Sequence, residues 1–280
     1  MRARALAVCC LAFTFGCDAE PNPPSSTETM ATSETEHVQF RCSASSLPAL
    51  GGLEYVELSG GATVRGGERP FDVFSNGKLV VGRGTSVGGG LYSAVGAISV
   101  AAGAFVLGDI KSSGPEVPPH LPIEEAKFVA ENSHNAMIGL TANGRTPISK
   151  GAIHLYGGDS LQFPNYYYYV DGLQLSGESN LALSYTVTYL FVDGPIEISG
   201  GSSIGTSQAK HLLIISMSKE PISISGASTN VIARIYAPYA PIYITDGASV
   251  EGAVVGRTLE MSGESTMEVT QDGLHIWYPC

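Results

Sequence analysis

The chain has 280 residues with 34 Gly, a charged share of 15%, and 15 Lys+Arg against 26 Asp+Glu, for a net charge of −11. That balance disfavours nucleic acid and anionic lipid headgroups as partners, because fixed negative charge repels it. Frequent glycine with few charges suits a body of neutral Ser, Thr, Asn and Tyr faces turned by many tight corners.

At the start, Arg2 and Arg4 precede an apolar run from Ala5 to Phe15, followed by Gly16 and Cys17. The run falls short of the roughly 20 residues a bilayer requires, so residues 1–16 are expected to be a secretory signal rather than a membrane span. Gly16 directly before Cys17 resembles a bacterial lipobox, although Thr14 and Phe15 stand where Leu and a small residue are commonest. The resemblance implies lipidation at Cys17; cleavage without a lipid is the alternative. The stretch 17–41 is rich in Pro, Ser, Thr and Glu with almost no large apolar residue, which suits a disordered acidic tether. Lipid, tether and body together imply a bacterial envelope protein held at the outer membrane or cell surface.

Cys9 and Cys10 leave with the signal, so the body retains Cys42 and Cys280. Two cysteines at opposite ends of an exported domain are expected to form one disulfide, since export places them in an oxidising compartment.

From here a short phrase recurs. It reads Tyr55-Val56-Glu57-Leu58-Ser59-Gly60, Leu173-Gln174-Leu175-Ser176-Gly177, Pro195-Ile196-Glu197-Ile198-Ser199-Gly200, Pro221-Ile222-Ser223-Ile224-Ser225-Gly226, Pro241-Ile242-Tyr243-Ile244-Thr245 and Thr258-Leu259-Glu260-Met261-Ser262-Gly263. Two apolar residues around one variable residue have a period of two, so each phrase is a strand with a buried and a wet face, and the Gly is a corner. The spacing is too short for a propeller blade or a helical repeat unit. Ile198, Ile224, Ile244 and Leu259 are expected to stack as one apolar column.

Coils are read over 53–114 and again over 151–269, with a tail at 270–280 and the whole of 42–280 as one domain. Between the blocks, 115–150 breaks the pattern. Pro115, Pro118 and Pro119 precede Pro122–Leu140, which reads as a helix with Glu124 and Glu125 in its first turn and apolar residues at Ile123, Phe128, Val129, Met137 and Ile138. The expected fold is all-β: a right-handed parallel β-helix with one α-helix packed along its side. If that helix carries the chain back along the stack, the second block winds towards the first, Val56 lies beside Leu259, and Cys42 can meet Cys280. A stack in sequence order is the alternative.

Ile235-Tyr236-Ala237-Pro238-Tyr239-Ala240-Pro241, Val250-Glu251-Gly252-Ala253-Val254-Val255-Gly256 and Leu259-Glu260-Met261-Ser262-Gly263 resemble a bacterial family of exported right-handed β-helix domains without assigned function, found in surface and pilus-associated proteins. The resemblance runs from about Tyr166 to Leu274. It departs at Glu268-Val269-Thr270-Gln271, where such domains commonly carry a His-Tyr-Asp phrase, so no role of that phrase is carried over. More weakly, Val106-Leu107-Gly108-Asp109-Ile110 followed by a helix and further coils resembles the layout of ice-binding solenoids.

The candidate chemistry is sparse. Gly84-Thr85-Ser86-Val87-Gly88 and Gly201-Ser202-Ser203-Ile204-Gly205 both match G-x-S-x-G, but the nucleophile elbow needs a strand-to-helix turn and both copies sit at coil corners. The middle residues of the second-block phrases, Gln174, Glu197, Ser223, Tyr243 and Glu260, form a mixed column without adjacent acids. No histidine spacing suits a metal, Gly157-Gly158-Asp159 is only a fragment of a calcium-binding repeat, and Thr186-Val187-Thr188 is a single Thr-x-Thr pair. Neither metal, cofactor nor catalytic residue is expected. Tyr166, Tyr167, Tyr168, Tyr169, Tyr236, Tyr239 and Tyr243 are the candidate contacts for a glycan or a surface protein, since exposed tyrosines stack on sugars and fill interfaces. A non-enzymatic envelope-anchored β-helix lipoprotein for display, adhesion or assembly is the reading; a carbohydrate-binding or carbohydrate-active solenoid is the runner-up.

Overall fold

The computed structural model describes residues 41–43, 49–66, 71–94, 96–113, 116, 141–144, 148–149, 151–164, 166–184, 187–270 and 277–279. Among them the regular elements are β-strands apart from one 3-10 turn, Ala209–His211. The signal, Cys17, the tether up to residue 40 and the expected helix Pro122–Leu140 lie outside the described residues.

The strands form a parallel β-solenoid of about 9 turns. Each coil contributes one strand to each of three walls. Ala152–Leu155, Ser160–Phe163 and Tyr167–Val170 make one coil, and the next begins at Gly172–Leu175. Alternation drives this arrangement: Asn180–Leu183 and Ile222–Ser225 each bury every second residue, so inward positions stack on their counterparts in the coils above and below. On the first wall one inward column runs Ile153, Leu173, Ile196, Ile222, Ile242, Leu259, Val56, Leu79, Ile98. Ile198, Ile224 and Ile244 continue instead to Met261 and Leu58, so the expected column of Ile198, Ile224, Ile244 and Leu259 is corrected at its last member, where Met261 takes the place of Leu259. Aligned on the corner glycine, the phrase itself puts Met261 where Ile198 stands and Leu259 where Ile196 stands, and the ladder follows that alignment.

The corner glycine has a steric cause. Gly200 has φ 62, and a Cβ there would lie 2.8 Å from the amide nitrogen of Gly177 in the neighbouring coil. Left-handed backbone and close approach of the next coil together select glycine.

The order of coils in space departs from the order in sequence. Val56 pairs on one side with Leu259 and on the other with Leu79. Residues 50–52 pair with 254–256 and with 73–75, so the coil at this junction is completed by both ends of the chain: Thr258–Met261 and Thr266–Val269 supply two walls and 50–52 the third. The first block therefore begins at Leu50, earlier than the boundary at 53. The block 50–111 continues the stack that the block 152–269 begins. Arg41–Ser43 pairs antiparallel with Trp277–Pro279, Arg41 opposite Pro279 and Cys42 opposite Tyr278. The segments around the two cysteines meet, while Cys280 itself lies outside the described residues.

Two apolar clusters result. The first fills the solenoid interior. The second lies on the outer side of the third wall, where Phe191, Leu213, Ile215, Tyr236, Ala253 and Val255 are all buried although they point away from the interior.

Candidate functional site

The outer faces of the first and second walls hold the polar side chains that could meet a partner. On the first wall the outward column reads His154, Gln174, Glu197, Ser223, Tyr243, Glu260, Glu57, Val80, Ser99. His154 Nδ1 donates to Gln174 Oε1 at 3.1 Å and Gln174 Nε2 donates to Glu197 Oε2 at 3.0 Å, so the first three members tie their coils together. Lower in the column Glu260 and Glu57 are direct neighbours. Within the second block the column holds no adjacent acids, as its residues read; the two carboxylates come from opposite ends of the chain and become neighbours only because the coils stack out of order. Tyr55 donates to Glu57 Oε2 at 2.5 Å. Its hydroxyl pKa is pushed up to about 12, first by burial, then by the hydrogen bond to Glu57 and the charges of Glu57 and Glu260.

On the second wall one outward column reads Ser160, Asn180, Ser203, Asn230, Ser249, Thr266, Thr63, Ser86, Phe105. Eight small hydroxyl or amide side chains stand in register, and Ser203 Oγ donates to Asn180 Oδ1 at 2.8 Å. Both G-x-S-x-G serines, Ser86 and Ser203, are members of this column. The motif occurs twice because a coil corner followed by a polar outward position repeats, and both serines lie on strands rather than at a strand-to-helix elbow. In the neighbouring outward column Glu251, Glu268 and Arg65 follow one another. Burial, and then the charge of Glu268, hold the Glu251 carboxyl above its ordinary range. Each acid pair thus has one member in the junction coil, Glu260 on the first wall and Glu268 on the second. Among the described residues, no three His, Cys, Asp or Glu are grouped so that they could hold a metal ion.

The candidate tyrosines separate. Tyr168 is fully buried, its ring centroid 3.9 Å from that of Phe163 inside the solenoid, and Tyr236 is fully buried in the outer apolar cluster, so neither presents a surface to a ligand. Tyr167 and Tyr169 are half-buried against the same cluster, and Tyr167 stacks on Tyr189 at 5.2 Å. Tyr166 is exposed, and Tyr239 and Tyr243 are half-buried. Asp159 is a corner residue: it is buried, accepts from Asn143 Nδ2 at 3.0 Å and from the Tyr156 amide at 3.3 Å, and heads a buried corner column with Ser179, Ser202 and Thr229. Thr188 is buried, and Thr186 lies outside the described residues.

This geometry, a stacked Ile-x-Ile wall followed by a left-handed Ser-Gly corner, is densest in the second block. Residues 165–273 match DUF7305, a domain of unknown function. The DUF7305 stretch begins in the first spatial coil and ends just past Thr266–Val269, the last strand before the chain leaves the junction. It covers nearly the stretch in which the exported β-helix resemblance was read. The coils of 55–111 lie outside it and extend the same walls. The chain is also similar to an ice-binding protein from the Antarctic ascomycete Antarctomyces psychrotrophicus, at 16% identity over 79% of this chain and 93% of that one, with a TM-score of 0.31. No curated protein matches the chain.

Proposed function

We propose that the protein is a non-enzymatic β-solenoid lipoprotein of the bacterial envelope, anchored through Cys17 and presenting its flat second wall for adhesion or assembly. The observation that supports this reading is the in-register column from Ser160 to Ser86, which passes through the junction coil without a break. Small hydroxyl and amide groups repeated at about 4.8 Å suit an extended partner that makes one weak contact per coil. Replacing Cys17 with Ser should move the protein from the membrane to the soluble fraction; an N-terminal peptide that is unmodified or begins elsewhere rejects the anchor. A glycan array probed with the folded body, beside a variant carrying Asn180→Leu and Asn230→Leu, tests the wall, and binding that survives both changes rejects its role.

The coils are taken as right-handed, the hand of nearly all β-crossover connections.

The Glu57 and Glu260 pair beside Tyr55 and Tyr243 favours a carbohydrate-active alternative, because glycoside hydrolysis commonly uses two flanking carboxylates. Hydrolysis of a polysaccharide that is lost in both Glu57→Gln and Glu260→Gln would replace the adhesive reading; binding without turnover would retain it.

A further inference from the structure

We propose that two copies of this chain associate end to end through the coil formed by residues 98–111. Ile98–Val100, Phe105–Val106 and Ile110–Lys111 each pair on one side only, with 79–81, 86–87 and 91–92. Among the described residues no strand pairs with their other edge. Positions that are buried in the coils beneath are open here: Val100 is 38% exposed and Ile110 53%. The outer positions change character as well. Phe105, 56% exposed, stands where the column beneath carries Ser86, Thr63 and Thr266, and Leu107 is 67% exposed. At the opposite end of the stack Ile148–Ser149 pairs with Ala152–Leu155 and Asn143 bonds Asp159, so that end is covered on one wall and at a corner.

An open edge of this kind is ordinarily blunted by charge, proline or a bulge. No charge or proline is present between 97 and 108, where Ala97, Ala101, Ala102 and Ala104 leave room for close approach, and of the three edge strands only Ile110–Lys111 carries a charge. The charges at this end are Asp109 and Lys111, which pair at 3.9 Å, and Arg83, whose side chain lies against the Gly103 corner, so in a chain of net charge −11 the end coil carries no net negative charge. Copies that repel elsewhere meet here without repulsion. A single peptide strand could pair with one edge, whereas three edges arranged around a coil are matched only by the end of another solenoid. A two-fold axis across the stack makes the contact isologous, with strands antiparallel across it. One coil offers fewer residues than the roughly 20–30 a side of a stable interface, so the association is weak and depends on concentration. This inference does not rest on the adhesive reading of the second wall.

The test is sedimentation of the full chain carrying Cys17→Ser, in reductant so that neither lipid nor disulfide drives association. A monomer–dimer equilibrium in the micromolar range is expected, weakened about tenfold or more by Phe105→Glu with Leu107→Glu, because like charges then face each other. The control, Gln162→Glu with Pro164→Glu at the other end, both exposed and outside the hydroxyl column, is expected to leave the equilibrium unchanged, and circular dichroism confirms that both variants fold. A monomer at every concentration up to hundreds of micromolar overturns the proposal, as does a dimer indifferent to the Phe105 and Leu107 changes or equally sensitive to the control. Hydrogen exchange supplies an independent check: amides of 98–111 should gain protection with concentration, and protection already complete in the dilute monomer would show that another part of the same chain covers the edge.

Discussion

The buried corner between the first and second walls shows how one hydroxyl can help and another hinder. Its column runs Asp159, Ser179, Ser202, Thr229, Ala248, Ser265, Ala62, Thr85, as successive coils bond across it. Ser179 Oγ and Ser202 Oγ lie 3.1 Å apart, and Thr229 Oγ1 donates to the Ser225 carbonyl at 2.7 Å. Ser265 stands between two alanines, and its Oγ is buried without a hydrogen-bond partner. Ser202→Ala is expected to cost about 0.5–1.5 kcal/mol, whereas Ser265→Ala should be neutral or stabilising, because removing an unpaired buried hydroxyl also removes its desolvation penalty. Thermal melts of the two variants check this, and an equal loss would show that Ser265 is bonded in solution. Glu251 supplies a pH-dependent case. Its folded carboxyl is held above the ordinary value, so its contribution is fully present below the unfolded carboxylate pKa and is lost as pH rises through the raised one. Glu251→Gln should therefore raise Tm at pH 7, and the gain should vanish near pH 3; a gain that persists in acid would assign the effect to packing rather than charge.

At the scale of the strand, the face assignment was legible from period two alone. Ile224 is buried and Ser223 lies between Glu197 and Tyr243 on the outer face. Ile224→Ala should cost about 2–5 kcal/mol through lost methylenes and an unfilled cavity, and Ser223→Ala no more than about 0.5 kcal/mol. Chemical denaturation of both variants decides it, and equal shifts would contradict the assignment. The third wall did not follow the same rule. Leu212–Ser216 is buried at every position, so alternation cannot say which residues face the interior, and Tyr236, a candidate contact from its place in the Tyr-Ala-Pro stretch, is buried on the outward face. A tyrosine on an outward position is exposed only if nothing covers that wall, and coverage is not a local property of the strand.

For the whole molecule, the coil order makes both ends of the chain indispensable to one coil, and it places Arg41–Ser43 beside Trp277–Pro279. A Cys42–Cys280 bond is expected from that pairing, detectable as a single cross-linked peptide pair in non-reducing mass spectrometry; free thiols or intermolecular links would leave the two-stranded tail sheet as the only tie. By itself the sequence determined the phrase strands with their inward residues, the glycine corners and the solenoid class, because each depends on contacts within one repeat or on the sterics of one turn. It also suggested the return of the second block towards the first, since the interruption at 115–150 and the two terminal cysteines are visible in the chain. Only the tertiary structure chose that order, with Leu259 on Val56, over a stack in sequence order, made Glu260 a neighbour of Glu57, and removed Tyr168 and Tyr236 as contacts. Stacking of nearly identical coils is degenerate in sequence: any Ile-x-Ile strand can pair with any other, and the choice is fixed by which ends of the two blocks meet in space.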